Sequence, residues 1–210
     1  MKTQLSRETV FLGWLTVVLP LLLTLICVAP LLSPLYATLA QQILHIELEP
    51  SSAAAIFHYV RQQIVSPESA YPLSDLTPRE LAHLADVSAL LRQGYLLLLA
   101  ALLVTGLLQW RCKFGLSTWR LGLRLGATFT LILLGAGALL AFAAWESAFA
   151  GFHRIFFASG SWQFRNSATL IQNFPPRFWL FSTACLALLM CFAVCCIFYG
   201  THRLGRNIKD

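Results

Sequence analysis

Four apolar runs, each long enough to cross a lipid bilayer, constrain this chain more than any other feature. They cover residues 10–32, 94–110, 121–144 and 177–200. At a rise of about 1.5 Å per residue, roughly 20 helical residues match a hydrocarbon core about 30 Å thick. The run 94–110 is the shortest and borrows a turn from the segment before it. Only 11% of the 210 residues are charged and 58% are hydrophobic, whereas about a quarter of a soluble chain is charged. The expected fold is an all-α membrane protein: one domain, residues 1–210, with four transmembrane helices.

The charges orient those helices. Lys2, Arg7, Arg111, Lys113, Arg120, Arg124, Arg203, Arg206 and Lys209 lie at the termini and in the middle loop, opposed there only by Glu8 and Asp210. The segments between the other spans carry Arg61, Arg79, Arg92, Arg154, Arg165 and Arg177 against seven acidic residues. By the positive-inside rule both termini are cytoplasmic, and the two long segments, 36–93 and 145–176, are extracytoplasmic. The net charge of +6 therefore reads as topology and contact with anionic membrane lipids, with no nucleic-acid partner. The first run is too long for the apolar stretch of a cleaved signal, and no good small-residue site follows it. Neither outer segment contains cysteine, so no disulfide frame is expected.

The first outer segment is too long for a plain connector and should hold structure of its own. Residues 43–48, I-L-H-I-E-L, alternate weakly and suggest a short strand; residues 51–64 suggest a helix with Ser52 as its cap. The clearest local signal follows: Thr77 is a strong N-cap, Pro78 suits the first helical position, and Glu80 completes a capping box. The helix it starts runs towards Gly94 and on into the second span. Leu84, Val87 and Leu91 share one side of it, Arg79, His83 and Asp86 another. A carboxylate three residues from an imidazole can fix its tautomer and favour its charged form, as acid–base work requires. A plain surface pair near the headgroups accounts for the same spacing.

The second outer segment is aromatic: Trp145, Phe149, Phe152 and Phe156 recur at helical spacing, and Trp162, Phe164, Phe174, Phe178 and Trp179 follow. The third span should therefore project to about residue 158, and interfacial anchoring explains most of these rings. His153 is different. It lies seven residues after Glu146, on nearly the same helix face, in a partly dry setting suited to proton transfer. His45, His58 and His202 read as bystanders. No metal-ligand spacing is present, so neither metal nor cofactor is expected. The centres of the spans lack ionisable residues, which a transporter should show.

Two motifs together, H-L-A-D-V (83–87) and F-H-R-I-F-F (152–157), followed by W-Q-F (162–164) and L-I-Q-N-F-P-P-R-F (170–178), resemble the Lit family of bacterial four-span membrane proteins. One departure is Ser88, where the family often has lysine. The resemblance implies an intramolecular acyltransferase of the bacterial cytoplasmic membrane, acting as a monomer on its extracytoplasmic side. Its substrate would be a diacylated lipoprotein, whose sn-2 acyl chain moves from the S-linked diacylglyceryl group to the α-amine, leaving the lyso form. His83 and His153 would share the proton transfers and Asp86 would orient His83. Glu146, Arg154, Trp162 and Arg177 are the candidate substrate contacts. The rival readings are a non-enzymatic assembly or transport subunit and a lipid hydrolase.

Overall fold

The computed structural model describes residues 2–46, 50–67, 73–158 and 160–206. These residues form helices and no strand. In chain order the helices are α1 (Lys2–Leu31), α2 (Pro34–Ile43), α3 (Pro50–Val65), α4 (Pro78–Cys112), α5 (Leu116–Phe156), α6 (Thr169–Asn173) and α7 (Pro176–Arg206). Four of them, α1, α4, α5 and α7, are long and apolar enough to span a membrane. The 35 residues of α4 and the 41 of α5 would extend about 50 and 60 Å as straight helices, well beyond the apolar thickness of a bilayer. Ala144, at φ −158° and ψ 63°, interrupts α5 just where its apolar run ends.

The chain divides into two compact units. The first comprises Met1–Cys27, Leu96–Leu140 and Ala187–Asp210. Within it α1 meets each of the other three long helices. The Trp14 indole donates to Thr105 Oγ1 of α4 at 2.8 Å, and Thr24 Oγ1 lies 3.9 Å from Met190 Sδ of α7. Gly122 and Gly126 let α5 approach closely: a Cβ at Gly126 would sit 2.8 Å from Leu19 Cβ and 3.0 Å from the Leu15 carbonyl oxygen. At Gly135 and Gly137, further along α5, a Cβ would meet nothing within 4 Å. Leu103, Ile132, Leu139 and Phe192 are exposed, as a surface solvated by lipid tails requires.

The second unit comprises Val28–Tyr95 and Ala141–Leu186. Its core draws Ala37 and Ala40 from α2, Ile56, Phe57 and Val60 from α3, Leu84 from α4, Leu170 from α6 and Phe178 from α7. Helix α2 had no counterpart in the sequence reading. It starts with Ser33 as N-cap, whose hydroxyl accepts from the Tyr36 N–H at 3.1 Å, and Pro34 at the first position. The suggested strand at 43–48 is overturned. Ile43 ends α2 and the chain then turns through Leu44 and His45, the latter at φ +49°; Glu47 and Leu48 lie outside the described residues. The local alternation loses to the turn that ends α2, in which the Ile46 N–H donates to the Gln41 carbonyl at 3.0 Å and the Ile46 side chain is buried. The predicted helix at 51–64 is present but starts at Pro50, so Ser52 is inside it rather than its cap.

The aromatic residues also divide differently from the expected interfacial belt. Phe174 and Phe178 are buried, with their rings 4.9 Å apart and Phe57 stacked on Phe174 at 5.2 Å. They pack a core instead of anchoring an interface, because α2 and α3 fold over them. Ser88 is buried as well, its hydroxyl 2.7 Å from the Leu84 carbonyl and 3.3 Å from that of Val60 in α3. A lysine at this position would have to bury its charge against α3.

The close approach at Gly126 generates a prediction. Gly126→Ala should destabilise the protein by about 1–3 kcal/mol through overpacking. Gly135→Ala should be neutral or gain up to about 1 kcal/mol of helix propensity. Thermal unfolding in detergent micelles reads both. Equal melting temperatures for the two variants would remove the packing account.

Candidate active site

The site is built on the first turns of α4. The expected capping box forms: the Thr77 N–H donates to Glu80 Oε2 at 2.8 Å and the Thr77 hydroxyl donates to the same oxygen at 2.7 Å. Glu80 Oε1 accepts from the Leu170 N–H at 2.9 Å, at the start of α6. One buried carboxylate thus caps two helices. Burial pushes its pKa up, but the bonds from Leu170 and Thr77 outweigh burial and hold it below the ordinary carboxylate value.

His83, less than one turn after Glu80, is only 8% exposed. The rings of Phe157 and Phe164 approach it at 5.1 and 5.7 Å. His153 of α5 lies with its ring centre 6.1 Å away and its plane tilted by 27°. Phe149, Trp162 and Phe157 surround His153 at 4.1, 4.8 and 5.4 Å. Its Nδ1 is 2.8 Å from the Phe149 carbonyl oxygen. A carbonyl only accepts, so Nδ1 carries the proton and Nε2 keeps the basic lone pair.

Both imidazoles belong to the polar or aromatic parts of their helices, before the apolar run 94–110 and after the run 121–144. Burial pushes the His83 pKa down to about 4; the neighbouring His153 adds to this and Asp86 opposes it. Burial also lowers the His153 pKa, partly opposed by the bond to Phe149. Near neutral pH both rings are uncharged. Asp86 is exposed and His83 Nδ1 is buried with no hydrogen-bond partner among the described residues. Asp86 therefore acts on His83 through its charge and not by holding Nδ1.

A cavity of about 560 Å³ adjoins this pair, lined by Glu146, Ser147, Ala150, Arg154, Phe157, Gly160, Trp162 and Gln163. Three of the four candidate substrate contacts, Glu146, Arg154 and Trp162, thus share one cavity. The fourth, Arg177, lines a separate depression with Ile46, Asn166 and Gln172. Among the described residues no group of three His, Cys, Asp or Glu side chains gathers to hold a metal. His45, His58 and His202 are exposed.

One residue of the site escaped the sequence reading. The Arg79 guanidinium donates to the Gly160 carbonyl and, at 2.7 Å, to that of Gln163, and lies 5.3 Å over the Phe164 ring. It ties the loop carrying Trp162 and Phe164 to the helix carrying His83. Gly160 adopts φ +79°, a conformation costly for any other residue. Arg79 stands four residues before His83, on the same helix face, which was the available signal. Nothing in the sequence pointed to backbone carbonyls 81 and 84 residues away as its partners.

The family model described as "Lipoprotein intramolecular transacylase Lit" matches residues 10–179. An uncharacterized protein of Aquifex aeolicus (strain VF5) is 33% identical over 127 residues, which are 59% of this chain and 56% of that protein. The chain thus matches little more than half the length of this curated relative. The in meso structure of the membrane integral lipoprotein intramolecular transacylase Lit from Bacillus cereus is similar in fold, with a TM-score of 0.77 at 15% identity. The likeness covers 99% of this chain and 98% of that one. A variant of that protein with a histidine replaced by arginine gives a TM-score of 0.76 at 14% identity, over 99% of this chain and 96% of the variant.

Histidine titration by ¹⁵N and ¹³C NMR in detergent checks the electrostatics. His83 should remain neutral as the pH falls to about 5, and His153 should protonate below the ordinary histidine value of about 6.5. The ¹⁵N shifts of His153 should report the proton on Nδ1. Two histidines with midpoints at or above the ordinary value would contradict the buried geometry.

Proposed function

The chain belongs to the Lit family of lipoprotein intramolecular transacylases, and from that premise we propose that it transfers an acyl chain within one lipoprotein molecule. The substrate is a lipoprotein whose N-terminal cysteine bears an S-diacylglyceryl group and a free α-amine. The amine nitrogen attacks the carbonyl carbon of the sn-2 ester, and the bond from that carbon to the glyceryl oxygen breaks. The products are an N-acyl terminus and a lyso glyceryl group. Ester and amine become amide and alcohol, so no oxidant, reductant or external acyl donor is needed.

One observation carries this reading: two uncharged imidazoles, the buried His83 of α4 and the half-buried His153 of α5, converge to 6.1 Å among aromatic rings. His153 is the base. Its bond to Phe149 leaves Nε2 free to take the proton that the attacking amine loses. His83 shares that proton and delivers it to the departing glyceryl oxygen, and the negative charge of Asp86 eases its transient protonation. Glu146 receives the substrate ammonium before it is deprotonated, and Arg154 and Trp162 line the path beside it. Arg177, in its own depression, contacts a part of the lipoprotein further from the reacting atoms. Holding the ester and amine together beside the two imidazoles would lower the barrier further, since the reaction is unimolecular.

The same reading puts the site on the extracytoplasmic side of the bacterial cytoplasmic membrane, where such lipoproteins lie. Both termini are cytoplasmic, surrounding lipids solvate the apolar helix surfaces, and one chain suffices because it supplies both histidines. A reporter fused after Asp210 or between Arg111 and Arg120 should be cytoplasmic, and one near Ser69 exported. An exported tail would overturn the orientation and the access it gives to substrate.

The catalytic assignment predicts that His83→Ala and His153→Ala each slow conversion of a diacylglyceryl peptide by about 10²–10⁴, the usual contribution of a positioned acid or base. The double variant should be little worse than the worse single one, because both serve one reaction. Asp86→Asn should be milder than either. Mass spectrometry of the peptide products by purified, folded variants measures all of these. Free fatty acid as the main product would support the hydrolase alternative, and wild-type turnover by both single variants would remove the histidines from the chemistry.

A further inference from the structure

We infer that the Trp162 indole N–H donates the hydrogen bond that stabilises the oxyanion formed at the acyl carbonyl, which makes Trp162 a catalytic residue for the reaction proposed above. An indole nitrogen is a donor only, whatever the pH. Trp162 Nε1 is buried and has no hydrogen-bond partner among the described residues. Two other indoles show the ordinary arrangement: Trp14 and Trp119 each donate to a side-chain oxygen at 2.8 Å. A buried donor left unpaired costs about 1–3 kcal/mol, a cost relieved when an acceptor arrives.

The position suits an acceptor that forms during reaction. The Trp162 ring lies 4.8 Å from that of His153 and lines the same cavity as Glu146. As the amine adds to the ester carbonyl, the C=O electron pair moves to oxygen and the amine proton passes to His153. When the intermediate collapses, the pair returns, the bond to the glyceryl oxygen breaks, and that oxygen takes the proton. Atoms and charge balance within substrate and protein. The negative oxygen exists only between these two events, and a fixed donor is worth most against charge developed in a water-poor site. Arg79 keeps the donor fixed, since it binds the carbonyls on both sides of Trp162, those of Gly160 and Gln163.

The test uses purified full-length protein, a synthetic diacylglyceryl-cysteine peptide and an alkylphosphonate that mimics the tetrahedral intermediate. Trp162→Phe keeps a ring and removes the N–H; 3-benzothienylalanine at position 162 keeps the indole shape with sulfur in place of N–H. Both should lower kcat by about 10²–10³, the effect of deleting one oxyanion donor, with KM changed by less than about threefold. Phosphonate affinity should fall by a similar factor to kcat. If Trp162→Phe fails to fold, the benzothienyl protein decides alone. Wild-type kcat and phosphonate affinity in the folded benzothienyl protein would overturn the assignment, and an inactive His153→Ala in the same assay would confine that failure to the indole. Wild-type turnover by His153→Ala would overturn the histidine reading and this step with it.

Discussion

The arrangement of the second unit depends on one buried carboxylate. Glu80, 1% exposed, accepts the Thr77 N–H and hydroxyl and the Leu170 N–H. Withdrawing a carboxylate from water is expensive unless charge-assisted hydrogen bonds replace the lost hydration. Here three do, and each also ends an orphaned backbone or side-chain donor at a helix start. The consequences spread in both directions along the chain. His83 follows within a turn on α4, and α6 leads from Leu170 into Phe174 and Phe178, which fill the core. Loss of this group would strand the Leu170 N–H in an apolar interior and release the two helix starts from one another.

A bilayer changes what counts as a stable surface, and that explains how the chemistry is divided along α4 and α5. Their apolar runs need no polar partner and can expose leucine and phenylalanine freely. Proton transfer needs the opposite: groups that ionise, donate and accept. Each helix carries the histidine proposed for that work beyond its apolar run, within the second unit. There the enclosure is aromatic and dry enough to keep both imidazoles neutral near pH 7. A neutral imidazole is a competent base, whereas one already protonated is not.

Residues 160–164 are anchored by hydrogen bonds without secondary structure. Ser161 turns back on the Ala158 carbonyl through both its N–H, at 3.1 Å, and its hydroxyl, at 2.9 Å. Arg79 holds the Gly160 and Gln163 carbonyls and covers Phe164, and the Thr169 hydroxyl donates to the Asp75 carbonyl at 3.0 Å. Backbone carbonyls serve as anchors throughout, so the ring identities of Trp162 and Phe164 remain available for the site. Preorganisation of this kind lowers the reorganisation needed during reaction.

Much of this protein could be read from residue order alone. Four long apolar runs demanded helices, because the bilayer leaves no other way to satisfy their backbones. Thr77, Pro78 and Glu80 announced the start of α4, because capping uses contacts three residues apart. His83 and His153 stood out because each is an ionisable ring in a setting that could dispense with one. Tertiary structure decided what depends on long-range contact. Helix α2 formed because Ala37 and Ala40 are buried in the core of the unit, and residues 44–46 turn out of it where a strand was expected. Phe174 and Phe178 became core rather than belt because α2 and α3 cover them. Asp86 leaves His83 Nδ1 without a hydrogen bond, because His83 turns inward while Asp86 stays exposed. Arg79 and the Trp162 N–H acquired their significance only in three dimensions: one from carbonyls more than 80 residues away, the other from having no partner near it among the described residues. Spacing along a helix reports neighbours within a turn or two; which distant groups meet, and which donors are left waiting, is set by packing.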